Sequence, residues 1–287
     1  MFGSALEQWD ALLSASGETV SAAAPILLFY ALAQAGRAVC AAHVVGQPWR
    51  ASRHGLSVGT PTGGLGSTQI TPEGGTATSF ALFCRAIGSP PLTAPTTLGA
   101  LWAANPKLDM VPDLGEGEPR AVELGLITSG ETSTRALLEG ELAEGLSADP
   151  GEATAELSTR LARYPGATDG LAVGGFRTAR DGTAQVEVGW TAQDGKPNAV
   201  ELIARGYGRP NSGAFLKPAL NQAHDVLEPL ALWWATLIAL SSLARYHPEI
   251  WTAALARDRS KAAIPIEDAL DIAREMLPWL LLGALDP

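Results

Sequence analysis

The sequence predicts a mainly α-helical protein of the α+β class: a helical bundle built from both chain ends, with an inserted small antiparallel β-rich section. Three observations support this prediction. The stretch Leu230 to Ala244 has no charge and is apolar on every helical face, which is typical of a buried helix. A second apolar helical pattern follows Pro25. Residues 111–215 instead contain strand-like segments with Asp-Gly turns between them. We therefore expect residues 1–110 and 216–287 to form one bundle around the inserted section 111–215.

The composition is that of a globular protein with an acidic surface. Of 287 residues, 46% are hydrophobic and 17% charged, which is sufficient for a sizeable core. The net charge of −10 disfavours nucleic-acid binding except at a local basic patch. Cys40 and Cys84 lie in apolar helical patterns and are predicted to be buried thiols. Neither a metal nor a cofactor is expected.

The chain is predicted to be cytoplasmic and not to enter a membrane. The first residues contain early acids and lack the basic segment of a signal peptide. The uncharged run of the central stretch is about 15 residues, shorter than the roughly 20 that a membrane-spanning helix needs.

Four helices are predicted before residue 110. The second contains Ala31, Ala35 and Gly36, small residues that allow close approach, so we expect it to contact the central helix. Thr97 is the predicted N-cap of the fourth. Residues 46–75 are rich in glycine and predict a long loop or a weak hairpin. The predicted helices cover residues 5–13, 24–45, 79–88 and 98–105.

The middle and the end of the chain give a different pattern. Strands are predicted at residues 121–128, 170–179, 183–192 and 198–207, and a helix at 149–164. The central helix is expected to begin near Pro229 and to end before Pro248. A last helix is predicted over residues 265–277.

Five segments carry a family resemblance. The pattern PILLFYALAQAGRA, RHGL, TLGALWAANPKL, LIALSSLARYHPEIW and LPWLLLGAL resembles the bacterial YaaC-like proteins over roughly residues 22–285. This resemblance implies a bacterial, cytosolic, mostly helical protein without an established activity. The helices are also similar to those of HEPN domains, which occur in toxins and antiphage effectors. That second similarity is an analogy of fold and by itself assigns no function.

One candidate catalytic pair is Arg37 with His43. HEPN ribonucleases use an arginine and a later histidine at this spacing, assembled across a dimer, for metal-independent RNA cleavage. Histidine moves protons near neutral pH, and arginine stabilises charge on the phosphate. In an unbroken helix the two side chains point about 120° apart, so they converge only if the helix ends near Ala41 or a second copy contributes. The alternative is an interfacial arginine and a histidine at a helix end.

Two further clusters are candidate sites for an anion or for RNA. Arg50, Arg53 and His54 form the most basic short stretch of the chain; otherwise they are surface arginines beside a histidine that satisfies a loop carbonyl. Arg245 and His247 follow the central helix; otherwise they cap that helix, with an arginine–aromatic contact. Parallel packing of the two main helices would bring Arg37 and Arg245 together, whereas antiparallel packing requires a suitable register.

Three functions remain open from the sequence. The leading interpretation is a non-enzymatic interaction module, a homo-oligomer or the partner of another protein, in a larger assembly such as an antiphage system. It rests on the lack of a convincing catalytic set and on the apolar helix faces. The alternatives are a HEPN-like ribonuclease and a sensor of a nucleotide or small anion that uses residues 50–66.

Overall fold

A computed structural model describes residues 2–43, 53–115, 117–129, 133–191, 203–205 and 214–286 of the chain. It confirms a mixed α+β protein. The chain divides into two compact units. Unit 1 comprises residues 1–118 and 220–287, and unit 2 comprises residues 119–219. The sequence had placed these boundaries at 110/111 and 215/216.

Unit 1 contains seven α-helices and one small sheet within its described residues. The three-stranded antiparallel sheet has the order β1-β2-β3. The helices are α1 (Phe2–Gly17), α2 (Ala24–His43), α3 (Ser79–Ala86), α4 (Leu98–Ala103), α6 (Pro229–Tyr246), α7 (Pro248–Ala254) and α8 (Ala263–Leu285), and the strands are β1 (Leu56–Val58), β2 (Gln69–Pro72) and β3 (Thr96–Thr97).

Helix α6 is the core of unit 1. Every residue from Pro229 to Leu243 is buried, because no side chain in that stretch carries a charge that requires water. Trp234 packs edge-on against Phe29 of α2, with ring centroids 6.0 Å apart. Gly36 of α2 approaches the same indole so closely that an added Cβ would lie 2.6 Å from its Cζ3 atom. The predicted contact between the two main helices, through a small residue, is confirmed.

Helices α2 and α6 are antiparallel. Gly36 lies against Trp234, while Tyr30, six residues earlier in α2, contacts Arg245, eleven residues later in α6. Among the described helices, α2 is the one long and apolar enough to cross a membrane, and 61% of its apolar window is buried. The core helix of a soluble protein meets the same criteria, so this property alone does not indicate a membrane segment.

Several helix ends agree with the sequence, and others correct it. Thr97 caps α4 by accepting a hydrogen bond from the Ala100 N–H (3.1 Å), as predicted. Helix α1 is longer than predicted at both ends. Helix α8 is longer too, because it continues through Pro278 to Leu285, beyond the predicted end at residue 277. The predicted glycine-rich loop contains the β1–β2 hairpin.

The two cysteines are buried, as predicted. Burial raises the pKa of Cys40 to about 11, although the nearby charge of Arg85 opposes this. Burial also raises the pKa of Cys84 to about 12. Both thiols therefore remain protonated at neutral pH, and a protonated thiol is a poor nucleophile.

Asp225 joins two loops of unit 1. Its carboxylate accepts hydrogen bonds from the backbone N–H groups of Thr93 (2.7 Å) and Ala94 (3.1 Å). It also accepts from the Thr93 hydroxyl (2.7 Å) and the Asn221 amide (2.8 Å). Partial burial raises the pKa of Asp225, but the hydrogen bonds from Asn221, Thr93 and Ala94 outweigh it, so the pKa lies below its usual value.

We expect Asp225→Asn to lower the free energy of unfolding by about 1–2 kcal/mol at pH 7, because the amide cannot accept all four hydrogen bonds. A depressed carboxyl pKa gives stability that is complete above the unfolded-state pKa, near 4, and is lost as the pH falls through the folded-state pKa. Urea unfolding should therefore show a constant difference from wild type between pH 7 and about 5, shrinking only below about 4. Asp10→Asn, at an exposed position of α1, is the control. A difference that does not change with pH would contradict the role of the carboxylate.

Unit 2 is an antiparallel sheet with a helix on one face. The sheet has six described strands in the order β6-β7-β5-β4-β9-β8. Leu157 and Leu161 of the α5 region pack with Val186, Val188 and Trp190 in its core. The elements are β4 (Val122–Ser129), β5 (Ser133–Glu139), α5 (Pro150–Arg160), β6 (Leu171–Thr178), β7 (Ala184–Thr191), β8 (Ile203–Arg205) and β9 (Ala214–Leu216).

Two strands of unit 2 were not predicted, β5 and β9. β5 has the sequence STRALLE, whose Ala, Leu, Arg and Glu favour helices, but its side chains are alternately exposed and buried in the sheet. Pairing with β4 and β7 on either side stabilises the extended form. The first predicted Asp-Gly turn is confirmed at Asp181–Gly182, where the glycine has φ +91°. The second turn and most of the strand predicted at 198–207 lie outside the described residues.

Candidate functional site

Three of the predicted candidate residues lie near one another in unit 1, although they are far apart in the chain, since both arginines act electrostatically on the histidine. They are Arg37 of α2, His54 just before β1, and Arg245 at the end of α6. We call these three residues the cationic cluster. Each is positioned by a different local feature.

His54 is positioned by its own backbone. Its carbonyl accepts a hydrogen bond from the Phe80 N–H (3.0 Å), and the Arg53 carbonyl accepts one from the Ser79 N–H (3.0 Å). These two residues thus satisfy N–H groups at the start of α3. The next residue, Gly55, has φ +94°, and a Cβ there would lie 2.3 Å from the Thr78 hydroxyl oxygen. Glycine at position 55 is therefore required to turn the chain directly after His54.

The ring of His54 lies against the buried Phe29 of α2 in an edge-on contact, with centroids 5.4 Å apart. The pKa of His54 is lowered, first by partial burial and then by the positive charges of Arg245 and Arg37. Both arginines are therefore close enough to act electrostatically on the same imidazole. A lowered pKa leaves the ring largely neutral at pH 7.

Arg245 is held by several contacts at once. Its guanidinium carbon lies 4.8 Å from the ring centre of Tyr246 and 5.7 Å from that of Tyr30. Its Nη1 donates to the hydroxyls of Tyr30 (3.3 Å) and Tyr246 (3.2 Å), and its Nε donates to the Ser241 carbonyl (3.2 Å). The contact between Arg245 and an aromatic ring, which the sequence offered as the alternative to an anion site, is present. These contacts fix the guanidinium in one orientation before any ligand arrives.

Arg37 lies on the same face of α2 as Tyr30, since seven residues make almost two full turns. It is exposed, and its Nη1 donates to the Gln34 side chain (3.1 Å). Among the described residues, no carboxylate forms a salt bridge with Arg37 or with Arg245. In a chain of net charge −10, this leaves a local excess of positive charge.

Antiparallel packing brings Arg37 and Arg245 to one cluster through the register of the two helices. Arg245 lies beside Tyr30, about 10 Å along α2 from Arg37 at a rise of 1.5 Å per residue. The positive charges of both arginines lower the pKa of His54. The register that antiparallel packing requires is therefore present, although Arg37 and Arg245 do not lie at the same end of the bundle.

The remaining candidate residues lie apart from this cluster or outside the description. Helix α2 runs unbroken to His43, so in one chain the side chains of Arg37 and His43 diverge. His43 Nε2 lies 2.7 Å from the carbonyl oxygen of Ala284, near the end of α8. His247 lies between α6 and α7 as the cap residue of both, and Arg53 is exposed. Arg50 lies outside the described residues.

Sequence reasoning missed Phe29, Tyr30 and Gln34 as parts of the site. The spacing of Tyr30, Gln34 and Arg37 at positions i, i+4 and i+7 of a helix was available as a signal for one face. Nothing local indicated that His54 would reach this face. Across the described residues, no group of three or more His, Cys, Asp or Glu side chains converges as metal ligands would.

A family model described as YaaC-like Protein matches residues 1–285. No curated protein and no solved structure matches the chain.

Proposed function

The chain belongs to the YaaC-like family, and on that premise we propose that it is a non-enzymatic binding module that takes a phosphate-bearing anion at the cationic cluster. We further propose that it works in the bacterial cytosol by associating with a protein partner or with further copies of itself. An antiphage assembly is one setting that fits. In this proposal, the helices from both chain ends act together as one bundle.

One observation carries the proposal. Arg37 and Arg245 act electrostatically on His54 from separate elements, and no described carboxylate forms a salt bridge with either arginine. Bringing like charges together is unfavourable unless an anion compensates them. Arginine is well suited to phosphate, because its planar guanidinium donates two parallel hydrogen bonds to phosphate oxygens. Arg245 is also pre-oriented by two tyrosines, which reduces the entropy lost on binding.

The expected result is saturable binding of pyrophosphate or tripolyphosphate, measured by isothermal titration calorimetry. Arg37→Gln and Arg245→Gln should each weaken that binding by about tenfold or more, as expected for loss of a hydrogen bond from a charged group. Binding should also raise the pKa of His54, because an anion favours the imidazolium; ring carbon NMR shifts against pH would measure this.

Arg259→Gln is the matched control, since Arg259 is an 81% exposed arginine of unit 1 that pairs with Asp258. It should bind like wild type. The proposal fails if no polyphosphate binds, or if Arg259→Gln weakens binding as much as the two cluster variants do. Mass measurement in solution, with and without the anion, tests whether the chain associates with itself.

A second candidate function is metal-independent RNA cleavage, and the electrostatic influence of two arginines on His54 favours it. A neutral His54 would accept the proton of a 2′-hydroxyl as that oxygen attacks the adjacent phosphate. Arg37 and Arg245 would stabilise the charge that develops on the phosphate, while solvent protonates the departing 5′-oxygen. The alternative pair, Arg37 with His43, requires a second copy of the chain.

Incubation with total RNA separates these ribonuclease alternatives. Cleavage that is lost in His54→Ala but kept in His43→Ala would assign the reaction to the cluster, and the reverse would assign it to a dimeric pair. If the wild-type protein produces no cleavage above a buffer control, the ribonuclease function is excluded and the binding function remains.

A further inference from the structure

The cationic cluster has two features that a simple phosphate would not use. The first is its length. Arg245 lies beside Tyr30, and Arg37 lies seven residues further along α2, about 10 Å away at a rise of 1.5 Å per residue. The charges of both arginines act on the imidazole of His54. Two arginines at this separation along the helix suit a chain of phosphates better than a single orthophosphate.

The second feature is an exposed aromatic ring at one end of the cluster. Tyr246 is 65% exposed, although Arg245 lies over its ring at 4.8 Å. Tyr30, whose ring centre lies 5.7 Å from the guanidinium carbon, is 36% exposed. A tyrosine ring stacked on an arginine and open to water offers an apolar surface to a planar group.

The free donors of Arg245 lie at the same end. A guanidinium has five N–H groups, and Arg245 uses its Nε and Nη1 in hydrogen bonds to Ser241, Tyr30 and Tyr246. No described residue accepts a hydrogen bond from its Nη2. A phosphate that binds these remaining donors therefore lies next to the exposed ring.

We infer that the anion is a nucleoside polyphosphate, whose phosphates lie along Arg245, His54 and Arg37 and whose base stacks on Tyr246. This inference rests on the proposed function and adds the class of ligand. Such a ligand uses both features, the length of the cluster and the exposed ring. Stacking on a tyrosine tolerates different bases, because every base has a planar face. Purines should nevertheless bind more tightly than pyrimidines, because their larger rings cover more of the tyrosine.

The test compares ATP with tripolyphosphate by calorimetry, because the two share a triphosphate and only ATP carries a base. We expect the wild-type protein to bind ATP about tenfold more tightly, the contribution of one stacked base. Tyr246→Leu and Tyr246→Phe both lose the hydroxyl that holds Arg245, but only Tyr246→Phe keeps the ring. Because Tyr246→Leu also removes the ring over which Arg245 lies, the ATP affinity of each variant is compared with its own tripolyphosphate affinity. The ratio of ATP affinity to tripolyphosphate affinity should be about tenfold lower in Tyr246→Leu than in Tyr246→Phe. Because Tyr246 is largely exposed, neither substitution should disturb the fold, and circular dichroism would verify this.

The outcomes separate this inference from the proposed function. If tripolyphosphate binds as tightly as ATP, or if the ratio of ATP to tripolyphosphate affinity is the same in the leucine and phenylalanine variants, the nucleotide inference is wrong and the anion site stands. If neither ligand binds, both are wrong. A purine preference among ATP, GTP, CTP and UTP that disappears in Tyr246→Leu would further support stacking on this ring.

Discussion

Replacing Gly66 by alanine is expected to destabilise unit 1 by about 3 kcal/mol or more, at the upper end of what overpacking costs. A Cβ at position 66 would lie 2.3 Å from the carbonyl oxygen of Leu114 and 2.8 Å from the Cα of Gly115. Both atoms belong to backbone, so neither can move aside as a side chain would. The substitution must separate two segments that are joined by the hydrogen bond from the Gly66 N–H to the Leu114 carbonyl (3.2 Å).

Gly64→Ala is the matched control in the same loop. Gly64 has φ −70°, and a Cβ there meets nothing within 4 Å. Alanine at this position should therefore be neutral or slightly stabilising, because it only restricts the unfolded chain. Urea unfolding of the two variants measures the contrast. Equal midpoints would mean that the backbone contact at Gly66 relaxes without cost.

The second large effect is expected at Trp234. Trp234→Ala should lower the free energy of unfolding by about 3–5 kcal/mol, the usual range for deleting a buried aromatic side chain. Its ring is 1% exposed and contacts Phe83 at 4.8 Å and Phe80 at 6.4 Å between centroids, in addition to Phe29. Deletion would leave a cavity where α2, α3 and α6 meet, which the rigid helices can fill only in part.

Trp279→Ala is the control for Trp234, since Trp279 lies on α8 with 42% of its surface exposed. Its loss should cost far less, below about 1 kcal/mol, because a surface side chain leaves no cavity. Chemical denaturation followed by far-UV circular dichroism would compare the two, since tryptophan fluorescence changes with the substitution itself. Equal losses would show that Trp234 does not anchor the core.

A double-mutant cycle tests the contact between Trp234 and Gly36 directly. Gly36→Ala gains about 1 kcal/mol of helix propensity, but its Cβ would collide with the indole. We expect a net loss of about 1–2 kcal/mol in the wild-type background, where overpacking dominates. In the Trp234→Leu background the same change should cost clearly less, because the closest atom is gone and only the Phe83 ring, 3.2 Å from the added Cβ, remains near. Additive effects of the two substitutions would contradict the contact.

Most of the tryptophans lie in the core and are not available to a partner. The sequence has eight tryptophans, and their number indicated that some serve an interface. Of the seven in the described residues, six are buried and form core contacts. Trp279 is the exposed one. The tryptophans therefore give little support to association with a partner, and the proposed function depends mainly on the cationic cluster.

The candidate site was predictable residue by residue but not as a site. Arg37 stood out by its spacing to His43, His54 by its place in the most basic short stretch, and Arg245 by its position at the end of the central helix. Their convergence depends on the antiparallel register of α2 and α6 and on the turn at Gly55, neither of which leaves a local signal. The pair Arg37 and His43 had a convincing spacing, yet a single unbroken helix points the two side chains apart.

The sequence by itself determined the buried central helix, the cap at Thr97 and the turn at Asp181–Gly182. Each of these depends on residues close together in the chain: an uncharged run, a hydroxyl three residues before an N–H, and a glycine at positive φ. Only the tertiary structure decided that STRALLE forms strand β5 and that Arg37 and Arg245 lie near His54. Hydrogen bonds to neighbouring strands and contacts between helices outweigh local preference there, and both come from residues far away in the chain.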